Sequence, residues 1–184
     1  MKTCPALVLA LVASIAAPAA QAEVIESSSQ GFVTQSIGFS KAGPEEVWAT
    51  LVQPARWWNP QHSWSLDGGN FRLEPEAGGC FCEILRGGGS VEHMRVIQAA
   101  PDKMLRMVGA LGPLQSEAYS GTLTIELEVV QGRTKVTWTY VVGGYGRYPL
   151  DQLAPAVDAV QQEQLERLLN TLETGSPGRD RLPL

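Results

Sequence analysis

Residues 121–144, GTLTIELEVVQGRTKVTWTYVVGG, decide the fold. In the first half Leu123, Ile125, Leu127 and Val129 fall on one side of an extended chain. Thr122, Thr124, Glu126 and Glu128 fall on the other. A period of two marks a strand with one buried face and one wet face. The second half repeats the pattern, with Val136, Trp138, Tyr140 and Val142 as its apolar side. Gln131-Gly132-Arg133 between them reads as a hairpin turn. The cover for the dry face follows directly. After the loop GGYGRYP, Leu153, Val157, Val160, Leu165, Leu168, Leu169 and Leu172 recur at three- and four-residue steps. That spacing predicts one amphipathic helix of roughly six turns, ended by Gly175 and Pro177. Burying its stripe contributes on the order of 10 kcal/mol before conformational entropy is subtracted. A half-wet antiparallel sheet beside a single long helix is an α+β, helix-on-sheet domain.

Upstream, Gly31–Ser40 is β-rich and reads as the first strand. Pro44, with Glu45 and Glu46 behind it, starts a short helix whose Val47, Trp48 and Leu51 share a face. Pro54 ends that helix, and a second short turn runs from Ala55 to Trp58. Short extended segments follow at Phe71–Glu74, Gly79–Leu85, Ser90–Ala99 and Lys103–Leu111, each closed by turn residues. No internal repeat is visible.

The N-terminus reads as an export signal. Lys2 precedes the apolar run Ala6–Ala17, and Ala20-Gln21-Ala22 is a small-x-small cleavage site. The run is shorter than the roughly 20 residues a spanning helix needs. Cys4 lies before it and leaves with the signal. The division is therefore a signal peptide over 1–22, a flexible segment over 23–30, the folded domain over 31–174 and a disordered tail over 175–184. The expected location is periplasmic or secreted. The net charge of −5 is modest, and no basic block survives cleavage. That argues against nucleic acid and anionic membranes as partners. No second apolar run is long enough to hold the mature chain in a membrane.

Five stretches carry a resemblance: GPEEVWATLVQPARWWNPQHSWS (43–65), GGCFCEIL (78–85), SVEHMRVIQAAP (90–101), GALGPL (109–114) and LAPAVDAVQQEQLERLLNTL (153–172). Together they resemble the START-like, or SRPBCC, superfamily. This is the helix-grip fold of birch pollen allergen and the polyketide cyclases. The look is nearest to bacterial AHSA-type and polyketide cyclase/dehydrase proteins. The resemblance runs from about Gly31 to Leu172. It implies a curved sheet gripping the C-terminal helix around an apolar ligand cavity. Some members cyclise their ligands, and no catalytic motif is common to all. The export signal departs from the many cytosolic relatives.

Concave sites of this kind are the default ligand sites. At the mouth the sequence places Trp57, Trp58, His62 and Trp64. Tryptophan either plugs the core there or lines the cavity with one donor to spare. Further candidates are Phe81 and Glu83 on one face of their strand, His93 and Arg95 on the next, and Trp138 and Tyr140 on the hairpin. His93 with Glu83 or Glu92 is a possible general base, and Arg95 a possible anchor for a ligand carboxylate. Gly87–Ser90 lacks the strand-loop-helix setting of a phosphate loop.

Cys80 and Cys82 admit four readings. In a regular strand their Cα atoms stand about 6.6 Å apart, near the upper limit for a disulfide. The spacing matches no zinc knuckle, and a nucleophile needs a base from another strand. The expectation is packing, since cysteine is a small, soft apolar side chain. No metal and no cofactor is expected. The reading is an exported domain binding a small apolar or amphipathic ligand. An enzyme using His93, and a protein-interaction module of the cell envelope, are the rivals.

Overall fold

A computed structural model describes residues 21–178. The expected signal peptide therefore lies almost entirely outside the described residues, as does the end of the tail.

Among the described residues, eight strands form one antiparallel sheet: β1 (Gln21–Ser28), β2 (Gly31–Ser40), β3 (Phe71–Leu73), β4 (Cys80–Ile84), β5 (Ser90–Ala100), β6 (Met104–Gly109), β7 (Ala118–Val130) and β8 (Arg133–Tyr145). Their spatial order is β1-β2-β8-β7-β6-β5-β4-β3. Two α-helices, α1 (Pro44–Leu51) and α2 (Leu150–Thr174), and short 3-10 turns, one of them at Pro54–Arg56, complete the described fold. The helix-on-sheet class is as expected, and α2 packs on β1, β2 and β8.

The hairpin behaves as its alternation requires. Leu123, Ile125 and Leu127 of β7 are buried, as are Val136, Trp138, Tyr140 and Val142 of β8. Gln131 and Gly132 both take positive φ, 51° and 76°. That is the two-residue turn whose twist matches its strands. Val129 stays exposed at the strand end.

Two readings change. The segment 23–30, expected to be flexible, mostly belongs to β1, paired with β2 from Gln21↔Ile37 to Ser28↔Gly31. Its side chains are largely exposed. The strand is held by backbone hydrogen bonds, which leave no apolar alternation to read. On α2, the polar run Gln161-Gln162-Glu163-Gln164 is buried along with Leu165 and Leu168. Leu153, Val157 and Val160, nearer the start of the helix, are only partly covered. The space left beneath them is the cavity.

β5 carries two bulges. The pairing jumps from Phe81↔Met94 to Cys82↔Glu92, so His93 is an extra residue. It jumps again between Val96 and Gln98, so Ile97 is another. Each extra residue resets which side faces inward. His93 and Met94 are consecutive and both buried.

Candidate ligand cavity

A cavity of about 690 Å³ opens at one end of the sheet. Its inner wall is Trp58, His93 and Tyr119, and its roof is Leu153, Val157, Val160 and Gln161 of α2. The turn after β6 supplies Leu111, Pro113 and Leu114. The mouth is framed by His62, Trp64, Arg147 and Tyr148, of which all but His62 are exposed.

The buried polar feature is a His–Glu pair. His93 Nε2 lies 3.0 Å from Glu83 Oε2. Glu83 is wholly buried and also accepts the backbone N–H groups of Trp64, at 3.0 Å, and Ser65. Burial pushes this carboxyl upward. The hydrogen bonds from Ser65, Trp64 and His93 overcome that and hold it below its ordinary value. An ionised carboxylate only accepts, so Nε2 carries the hydrogen and Nδ1 is left as an acceptor. Burial pulls the imidazole below its ordinary pKa, against the raising effect of Glu83, so the ring is neutral near pH 7. Phe71 stacks on it at 5.0 Å and Phe81 lies at 5.4 Å.

A second His–Glu pair stands at the mouth. His62 Nε2 is 3.1 Å from Glu163 Oε2. Asn59 donates from Nδ2 to Glu163 Oε1 at 2.7 Å, and its backbone N–H donates to Gln164 Oε1 at 2.9 Å. Arg167 Nε donates to the Trp57 carbonyl at 2.8 Å. The buried polar run of α2 is thus the anchor for the segment 57–65. That segment is tied to the helix on one side and to Glu83 on the other.

At the opposite rim Arg147 grips Glu117: its backbone N–H and its Nε each donate at 2.8 Å. The guanidinium holds the Glu117 carboxyl below its ordinary value. The Tyr119 hydroxyl donates to the Tyr148 carbonyl.

Of the candidates from the sequence, Trp58, His62, Trp64 and His93 line this cavity. The other six do not. Trp57 is buried between Trp58 and Trp138, at 5.6 and 5.9 Å. Phe81 and Glu83 sit behind His93. Tyr140 is fully buried, and its hydroxyl reaches the Gly109 carbonyl at 3.3 Å. Arg95 is on the outer face, paired with Glu92. Two-residue alternation had placed Arg95 beside His93, and the bulge at His93 turns it away. Glu92 is exposed on that outer face as well, so Glu83 is the partner of His93.

Sequence reasoning missed Tyr119, Arg147, Tyr148 and the turn after β6. The Gly-rich loop GGYGRYP and the stretch GALGPL were the available signals. The bond between Cys80 and Cys82 was also disfavoured, and their sulfurs are joined. The pairing slips opposite them, and their Cα atoms stand 5.4 Å apart, within disulfide range.

The sequence profile described as polyketide cyclase/dehydrase and lipid transport matches residues 32–173. No curated protein matches this chain. Solved structures similar to it include a conserved protein of unknown function from Enterococcus faecalis, 14% identical, covering 89% of this chain and 82% of that one with a TM-score of 0.60. CalU16 from Micromonospora echinospora is 13% identical, covering 84% and 87%, with a TM-score of 0.51. A Rhodobacter sphaeroides protein is 20% identical, covering 84% and 99%, with a TM-score of 0.53. At these identities the likeness is one of fold.

Proposed function

The chain belongs to the polyketide cyclase/dehydrase and lipid transport family, and from that premise we propose that it is an exported carrier of a small apolar or amphipathic molecule. The observation that carries the reading is the 690 Å³ cavity, roofed by Leu153, Val157 and Val160 and floored by Trp58 and Tyr119. Its size lies within the range of small-molecule sites. The ring nitrogen of His93 left by Glu83 offers one hydrogen-bond acceptor deep inside, suited to a ligand hydroxyl. Export is supported by the leader-like sequence over 1–22 and by the Cys80–Cys82 bond, since disulfides persist in oxidising compartments. Native mass spectrometry of protein purified from its own host's envelope fraction tests the reading. A bound mass lost on denaturation is expected. A preparation that carries nothing, and takes up no fatty acid or polycyclic probe, overturns it.

One observation favours a catalytic reading beside this one. Glu83 fixes the His93 ring and its tautomer, as an orienting carboxylate does for a general base. Such a base would take a proton from a hydroxyl or an acidic carbon of the held ligand. His93→Asn separates the two readings: a carrier keeps its affinity within a few-fold, whereas an enzyme binds and does not turn over.

A further inference from the structure

On the outer face of the sheet, away from the cavity, Cys80 and Cys82 form a second reactive group. Both are half-buried. The bond restrains almost no chain. Disulfide stabilisation grows with the length of the loop closed, and this loop holds one intervening residue. The strand is already paired on both sides, Arg72↔Cys82 towards β3 and Cys80↔Arg95 towards β5. A staple has little to do here.

The neighbours are those of a reactive disulfide. Arg95 stands directly opposite Cys80, and Glu92 directly opposite Cys82. A Glu92 carboxylate oxygen lies within 4.8 Å of both sulfurs. Arg95 and Glu92 pair with each other, and Arg95 Nη1 donates to the Gly78 carbonyl at 2.9 Å, which holds the guanidinium over this strand end. Glu74 accepts the Cys80 backbone N–H at 3.3 Å. A cation across the ladder from Cys80 favours a thiolate there, and the carboxylate near both sulfurs can relay a proton.

We infer that Cys80–Cys82 is a thiol–disulfide exchange site that accepts electrons from exposed dithiols of protein or peptide partners. A partner thiol passes its proton to Glu92, and its thiolate attacks the Cys80 sulfur. The Cys80–Cys82 bond breaks, and Cys82 leaves and takes that proton. The partner's second thiol loses its proton to solvent, and its thiolate attacks the partner sulfur held on Cys80. Cys80 departs as a thiolate facing Arg95. The partner gains one disulfide and loses two electrons; the pair becomes a dithiol. With Cys80 as the attacked sulfur, it is Cys80 that is expelled in the second step, where the Arg95 guanidinium across the strand favours its departure as a thiolate.

The test uses the folded full chain and a synthetic peptide bearing two cysteines. Mixed at equal concentration without denaturant, with acid quenching, alkylation and mass analysis, the peptide should be oxidised one-for-one as the protein pair is reduced. Cys82→Ser in oxidised glutathione should collect the mixed disulfide on Cys80. Arg95→Gln should slow exchange about tenfold at pH 7 and move the alkylation profile of reduced Cys80 up by about one pH unit, with Arg95→Lys restoring most of it. The double variant Cys80→Ser/Cys82→Ser should keep its melting temperature within a few degrees. A bond that resists excess dithiol until the protein unfolds overturns the inference. So does exchange indifferent to Arg95 and Glu92.

Discussion

His93 and Glu83 lie 3.0 Å apart in the wall between cavity and sheet, and that carboxylate also holds the amides of Trp64 and Ser65. One buried anion therefore fixes both the imidazole and the lip of the cavity. Replacing it with an amide sets an N–H₂ group against donors and leaves one unmatched. Glu83→Gln should lose about 1–3 kcal/mol of stability by urea unfolding. It should also raise amide exchange at Trp64 and Ser65.

Acid should act on the same pair in two stages. His93 titrates below its ordinary 6.5 in the folded chain, so the unfolded chain binds that proton first. Stability therefore falls as pH drops through 6.5 towards the folded value. Glu83 is held below 4.5 when folded, so its contribution is present above 4.5 and is lost as pH falls through the lower folded value. Urea midpoints followed from pH 8 to well below 4.5 should show both. His93→Gln should remove the upper stage and leave the lower one.

The floor of the fold has no room for a methyl group at one place. Gly121 lies under the Tyr140 ring, and a Cβ there would come within 2.8 Å of its Cζ atom. The ring is fully buried and cannot swing aside. Gly121→Ala should lose about 1–3 kcal/mol, read as a lower urea midpoint with an unchanged slope.

Filling the cavity should separate binding from folding. Val157 is half-buried on α2 and faces the space. Val157→Trp should abolish uptake of an apolar fluorescent probe such as anilinonaphthalene sulfonate, while the melting temperature holds or rises. Retained uptake would place the binding site elsewhere.

These positions differ in how plainly the sequence announced them. The β7–β8 hairpin and α2 were legible because burial imposes a period on side chains, two for Leu123–Ile125–Leu127 and three-to-four for Leu165–Leu168–Leu172. Trp58, His62, Trp64 and His93 were legible as chemistry concentrated in a few stretches. Arg95 was misplaced because one extra residue in β5 shifts every side chain after it, and bulges leave no compositional mark. The Cys80–Cys82 bond is hidden for the same reason, since a regular strand holds residues two apart near the upper limit of disulfide reach and only the slipped pairing brings them to 5.4 Å. Gln164 and Glu163 were invisible as anchors because a polar residue on a helix reads as wet until its partner, here Asn59, is known.

The bulge at His93 has a consequence for how this chain tolerates change. A one-residue deletion inside a strand is ordinarily ruinous, because it inverts everything beyond it. Here the opposite holds. Excising His93 alone brings Glu92 and Met94 together as neighbours facing Cys82 and Phe81, the partners they already have. The ladder closes without a slip, Val91 and Met94 still point inward, and Arg95 still points out. The cavity loses its only deeply buried imidazole while the frame around it keeps its register. The register of the sheet does not depend on the residue that puts the imidazole into the cavity wall.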